Sequence, residues 1–119
     1  SHRERTAQPI SSAELVRMAT IEGAKALGLD HEIGSLEVGK AADIIAIDIS
    51  GAGYSETPDI ETLLVYSGSG RDVRHVFVAG EQLVQDRQLL RRPLSEIKAE
   101  YSNTYRDFWD RVAAARKVA

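Results

Sequence analysis

The chain has no cysteine. That excludes disulfides, a thiolate nucleophile and any cysteine-ligated metal. Histidine is almost as scarce. There are three, His2, His31 and His75, and no two stand at the spacing of a ligand pair. No apolar run is long enough to span a bilayer, and no signal peptide is visible at the start. A dominant charge is lacking too: the net charge of -3 gives no electrostatic case for nucleic acid or an anionic membrane as partner. Cytoplasmic location is the default expectation. What is present is ordinary for a soluble globular protein, with 43% hydrophobic and 28% charged residues. A length of 119 residues suffices for one domain with a core but not for a large barrel. Ser1-His2, with no methionine, reads as a remnant of tag cleavage, so His2 is set aside from any functional argument.

The chain is organised around Ala19 to Asp48, ATIEGAKALGLDHEIGSLEVGKAADIIAID. Thr20 has the chemistry of an N-cap, a hydroxyl able to accept from the free amides of a new helical turn. Ile21, Ala24, Leu27 and Leu29 follow at helical spacing, and Gly28 stands where a helix ends in a left-handed residue. Gly34 and Gly39 punctuate the connection. Ile44 to Ile47 is a β-branched apolar run, the pattern of a strand covered on both faces. ATIEGAKALGL followed by IGSLEVGKAADIIAID resembles the carboxy-terminal signature of the metal-dependent amidohydrolase superfamily. Gly23, in place of an Asn-Pro pair before the alanine, is similar to the branch that hydrolyses triazines and deaminates guanine, cytosine or S-adenosylhomocysteine-type substrates. LLVYSGSGRDVRHVFVAGEQLVQDRQL, Leu63 to Leu89, resembles the same branch.

Elsewhere the pattern is simpler. Arg3 to Ile10 is a polar lead-in. Ser11 and Glu14 fit a capping box, and Leu15, Met18 and Ile21 share one face, which predicts a helix from about Ser12 to Thr20. Periodicity leaves open whether Thr20 divides it from a second helix, as the resemblance implies. Ile33 to Val38 reads as a short extended segment, Ala42 to Ile49 as the clearest strand, and Ser50 to Asp59 as a surface loop. Ile60 to Tyr66 is ambiguous between helix and strand. Ser67 to Asp72 is a tight loop. Val73 to Gln85 reads as a hairpin turning at Ala79-Gly80-Glu81-Gln82, with a second turn near Asp86-Arg87 and a last strand at Gln88 to Leu90. Pro93 opens a long helix in which Leu94, Ile97, Tyr101, Tyr105, Phe108 and Val112 recur at three and four, with Trp109 beside them. Asp107 and Arg111 stand four apart on its polar side.

Chemistry is thin. The resemblance implies a His-x-His pair, two later histidines and an aspartate around one or two divalent metals such as zinc, at barrel strand ends. None of those motifs is in this chain, so no catalytic, cofactor-binding or metal-ligating residue is assigned to it. His31-Glu32 opens like the zinc-protease helix motif, but Ser35 stands where the second histidine belongs. His75 lies mid-strand beside Arg74 and finds no nucleophile or orienting partner, so a small enzyme built on His31 or His75 is rejected. Gly68-Ser69-Gly70 lacks the third glycine of a dinucleotide fingerprint and the lysine of a phosphate loop. Lys40 and Asp43 read as structural, Asp43 bonding nearby backbone amides at the strand entry.

The expected fold is α+β: an N-terminal helix pair, a small mostly antiparallel β-sheet forming part of the family's composite β-domain, and a long C-terminal amphipathic helix. Residues 1–10 are remnant and lead-in. Residues 11–119 are a single domain, with helices over 11–29, strands over 33–90 and the last helix over 93–116. The expected function is the C-terminal, non-catalytic portion of an amidohydrolase-like hydrolase acting on C–N or C–Cl bonds of a heteroaromatic substrate, inactive by itself. The alternative is a free-standing oligomerisation or interaction module. The resemblance implies that the strands pair with strands from the amino-terminal end of a longer chain. An unpaired edge and an uncovered aromatic stripe then predict a homodimer that repairs the sheet or covers the helices.

Overall fold

The structure, a computed structural model, describes residues 8–51, 53–54 and 59–118. Ser1 and His2, read above as a remnant, most of the lead-in and part of the 50–59 loop lie outside the described residues. Helix α1 spans Ser12–Ala19. The Ser11 hydroxyl accepts from the Glu14 amide at 3.2 Å, and the Glu14 carboxylate accepts from the Ser11 amide at 2.8 Å. The capping box thus satisfies orphan donors at the helix start reciprocally.

Thr20 does divide the helices, at φ -125° and ψ -103°, and α2 follows at Ile21–Ala26. Its hydroxyl, however, does not cap α2. It donates backward to the Val16 carbonyl at 2.8 Å. Thr20 closes α1 as well as opening α2, and its side chain is turned back along α1, so the oxygen's lone pairs meet no amide of α2. At the end of α2 Gly28 takes φ 71°, with the Gly28 amide on Lys25 and the Leu29 amide on Ala24. These are the two bonds of a Schellman motif.

Ile33 to Val38 is not extended. The Ile33 amide folds back to the Leu29 carbonyl at 2.9 Å, and the Ala41 amide closes on the Glu32 carbonyl at 2.8 Å. Gly34 and Gly39, at φ 93° and 95°, curl the segment into consecutive turns.

One four-stranded antiparallel sheet follows, in the order β1-β2-β3-β4. Strand β1 is Ile44–Ile47, shorter at both ends than Ala42 to Ile49. Asp43 leaves the ladder because its carboxylate accepts from the distant Ala79 amide at 2.7 Å. At the other end the Asp48 carboxylate accepts from the Ser50 amide at 2.9 Å. Strands β2 (Val73–Val78) and β3 (Glu81–Gln85) form the hairpin. Its turn is two residues, Ala79 and Gly80 at φ 49° and 81°, rather than the four expected. Two left-handed residues match the strand twist, so Glu81 and Gln82 stay in the ladder. Asp86 and Arg87 repeat the device at φ 45° and 66° before β4, Gln88–Leu89.

The ambiguous segment is helix α3, Ile60–Tyr66, capped by Asp59, which accepts from the Thr62 amide at 3.0 Å. A 3-10 turn, Gly70–Asp72, leads into β2 under a Ser69 cap. The Thr62 and Ser12 hydroxyls bond at 3.2 Å and join α3 to α1. Helix α4 runs Leu94–Val118. Its ion pairs lie at its start, where Arg92 meets Glu96 at 2.8 Å and Glu100 at 2.7 Å, whereas Asp107 and Arg111 do not pair.

Among the described residues only Ala24 and Leu63 are buried. Ile44 and Ile45 of β1 are 37% and 55% exposed, so the strand is not covered on both faces by this chain. The radius of gyration is 21.0 Å, against about 13–14 Å for a compact chain of this size. No helix among the described residues is long and apolar enough to cross a membrane.

Candidate functional site

The side chains able to do chemistry are scattered. His31 lies exposed in the turn after α2, its Nε2 3.3 Å from a Glu32 oxygen. His75 sits on β2, where Nδ1 accepts from the Asp86 amide at 3.3 Å and lies 3.4 Å from the Gln82 amide nitrogen. It holds the β3–β4 turn to β2. Lys40 is the best shielded cation of the helix–strand connection, with its side chain 14% exposed. Its Nζ donates to the Ser35 hydroxyl at 2.7 Å and lies 3.1 Å from a Glu37 oxygen, while Ser35 also bonds Glu37. The trio staples one turn, a structural use of the ammonium. Gly68, Ser69 and Gly70 form the connection from α3 to β2, not a phosphate cradle.

Two hollows lie against the helices. One, about 590 Å³, is lined by Thr20, Ala24, Ile33, Gly34, Leu36 and Asp43. The other, about 420 Å³, lies between α1, β1 and α3, against Leu15, Val16, Ile45, Ile47 and Leu64. Among the described residues Asp43 is the one titratable side chain lining the first, and one of its oxygens is already engaged by the Ala79 amide. The second is apolar with no titratable lining residue among those described. A surface of this kind has nothing to move a proton and suits the packing of further apolar elements.

One polar network was missed by sequence reasoning. Asp48 accepts from the Ser50 hydroxyl at 2.6 Å and from Arg87 at 3.0 Å. Arg87 also donates to the Arg71 carbonyl at 3.1 Å. The Asp72 carboxylate accepts from Tyr54 at 2.6 Å and the Ser69 amide at 2.8 Å. The Ser50 bonds, then Arg87, hold the Asp48 carboxyl well below the usual carboxylate range, and Asp72 raises the Tyr54 phenol. The Asp-x-Ser spacing is a legible turn signal. The partners from β4 and the 3-10 turn are not legible, because the folded sheet brings them there.

A depressed folded-state pKa supports this corner above the unfolded value and fails only as pH falls through the lower folded value. The corner should therefore survive acidification past about pH 3.9, where an unpaired aspartate titrates. Amide exchange at Asp48 and Ser50, followed from neutral to strongly acidic pH, checks this. Asp48→Ala, which removes the acceptor, should leave the Ser50 amide exchanging fast throughout, with the acid transition gone.

Comparison with known proteins gives the geometry a context. The sequence model of the amidohydrolase family matches residues 1–83. A 5-methylthioadenosine/S-adenosylhomocysteine deaminase of Teredinibacter turnerae is 45% identical over 93 residues, 78% of this chain and 21% of the relative. An S-triazine hydrolase of Gordonia rubripertincta is 38% identical over 104 residues, 87% of this chain and 21% of the relative. Among solved structures, an adenosine deaminase from Xanthomonas campestris with bound zinc superposes with a TM-score of 0.76 at 32% identity, covering 82% of this chain and 22% of that one. The atrazine chlorohydrolase TrzN from Arthrobacter aurescens, complexed with zinc, gives 0.71 at 32% identity, covering 78% and 20%. The chain spans about a fifth of the length of these relatives. Two of them hold zinc. Among the described residues here, no three His, Asp or Glu side chains gather closely enough to hold an ion, so these residues do not fit a zinc site.

Proposed function

Because this chain belongs to the amidohydrolase family, we propose that it is the carboxy-terminal, non-catalytic portion of a metal-dependent hydrolase, inactive by itself. The whole enzyme acts on C–N or C–Cl bonds of a heteroaromatic substrate in the cytoplasm. Its divalent metal, zinc being the candidate, is held by residues outside this chain. The observation that carries the reading is a mismatch. The chain resembles zinc-bearing enzymes over a fifth of their length, yet its described His, Asp and Glu side chains do not converge.

The role left to the chain is to seat what surrounds it. The apolar hollows beside α1, α2 and β1, and the exposed Ile44, Ile45 and Leu27, match a surface awaiting strands and helices of a longer polypeptide. An interaction module derived from the same family is the competing reading. It is favoured by the exposed aromatic face of α4.

Elemental analysis and turnover decide between them. The 119-residue chain should carry no zinc and should release neither ammonia from S-adenosylhomocysteine or guanine nor chloride from a chlorotriazine. A longer polypeptide with the missing portion should do one of these. Stoichiometric zinc on the short chain, or no activity in any longer one, would overturn the reading.

A further inference from the structure

We propose that His75 is a pH-operated latch on the β3–β4 turn, closed by the neutral ring and opened when the ring takes up a proton. The latch involves β2, β3 and β4 alone and does not rest on the hydrolase reading. The Asp86 amide meets His75 Nδ1 at 3.3 Å, and the Gln82 side-chain nitrogen lies 3.4 Å from the same atom. A backbone N–H can only donate. Nδ1 therefore offers its lone pair, and the one proton of the neutral ring lies on Nε2. An imidazolium carries a proton on both nitrogens and has no lone pair for either donor. Protonation at Nδ1 thus sets N–H against N–H and removes the bond.

The bond holds a strained turn. Asp86 stands at φ 45° and Arg87 at φ 66°, both left-handed without being glycine. Such a backbone persists where its surroundings over-determine it. Three contacts reach the turn from β2. The His75 ring accepts from the Asp86 amide, the Arg74 carbonyl accepts from the Arg87 amide at 2.9 Å, and the Arg74 guanidinium donates to the Asp86 carboxylate at 2.7 Å. Only the first runs through a side chain of the type that titrates near neutral pH. The Arg74 guanidinium holds the Asp86 carboxyl below the usual carboxylate range, so Asp86 stays ionised while a histidine titrates. The charged groups around the ring are already matched. Nε2 lies 3.8 Å from Asp86 Oδ1, the oxygen that Arg74 binds. On the β1 side Ala46 stands opposite His75, and the next charged residue, Asp48, is paired with Arg87. An imidazolium would have to compete with an arginine for either carboxylate. The turn carries β4, the last strand of the sheet, and beyond it the residues that lead into α4. The Asp48–Ser50 bonds lie within one loop and do not run through the ring.

Nuclear magnetic resonance on the 119-residue chain tests this. Ring nitrogen shifts at the alkaline end should show the proton on Nε2. As pH falls from about 8 to about 5, the protection factor of the Asp86 amide should drop about tenfold in step with ring protonation, the worth of one hydrogen bond. The Ser50 amide should keep its protection over the same range. His75→Asn puts an amide oxygen near the place of Nδ1 and cannot titrate, so Asp86 should stay protected at both ends. His75→Phe removes the acceptor, and Asp86 should then exchange at the alkaline end as readily as in the protonated wild type. A proton on Nδ1 at the alkaline end, Asp86 protection without a step, or the same step in His75→Asn would each overturn the proposal. An equal fall at Ser50 would do so too, by showing that the whole sheet opens rather than the turn. Zinc content and turnover bear only on the hydrolase reading, so the two can fail separately.

Discussion

Gly34→Ala is expected to cost about 2–5 kcal/mol, enough to unfold a chain with so small a core. Gly34 stands at φ 93°, a region that costs an L-residue about 1–2 kcal/mol. A Cβ there would also lie 2.7 Å from the Ala24 Cβ and 3.0 Å from the Ile21 Cα. Neither atom is the end of a flexible side chain, and Ala24 is one of the two buried residues among those described, so the overlap adds about 1–3 kcal/mol. Gly39→Ala separates the two contributions. It has a similar φ of 95° with nothing within 4 Å of its Cβ, and should lose the backbone part alone. Urea denaturation of both variants checks this. Equal losses would mean that contact with α2 contributes nothing.

The second large effect depends on context. Leu63→Ala should cost about 2–5 kcal/mol in the chain as it stands, because Leu63 is 6% exposed and its removal leaves a cavity. Leu27→Ala should cost almost nothing in the same chain, because Leu27 is 74% exposed. In a longer polypeptide that fills the hollow beside α2, Leu27→Ala should rise into the range of Leu63→Ala. Thermal or denaturant midpoints of both variants in both contexts give the comparison. A Leu27 effect that stays near zero in the longer chain would place that surface in solvent permanently.

The features legible in the sequence carry their cause within a few residues. Ser11 and Glu14 satisfy each other across one turn, Gly28 supplies the left-handed end of α2, and Pro93 precedes α4. The failures have causes that act at a distance or depend on a choice. Thr20 stands between two helix ends, and spacing does not say toward which of them its side chain turns. Ile33 to Val38 has the composition of an extended segment. It curls because Ala41 can reach Glu32, a closure visible only once both glycines are left-handed. Ile44 to Ile47 reads as a strand covered on both faces, and that pattern suits a longer protein rather than this piece. Asp48 and Arg87 are 39 positions apart, and only the sheet register makes them neighbours. The site was barely legible: three histidines without ligand spacing gave no ligand set whose placement in the fold could be followed.

The two-residue turns at Ala79-Gly80 and Asp86-Arg87 bear on how the molecule comes together in time. Loops this short leave little to search, and hairpins close in about 1–10 μs. The ribbon of β2, β3 and β4 therefore zips before β1, which must travel back across the whole of α3 to reach it. Any strand supplied from elsewhere joins later still, and finds a finished jig to register against instead of a loose coil.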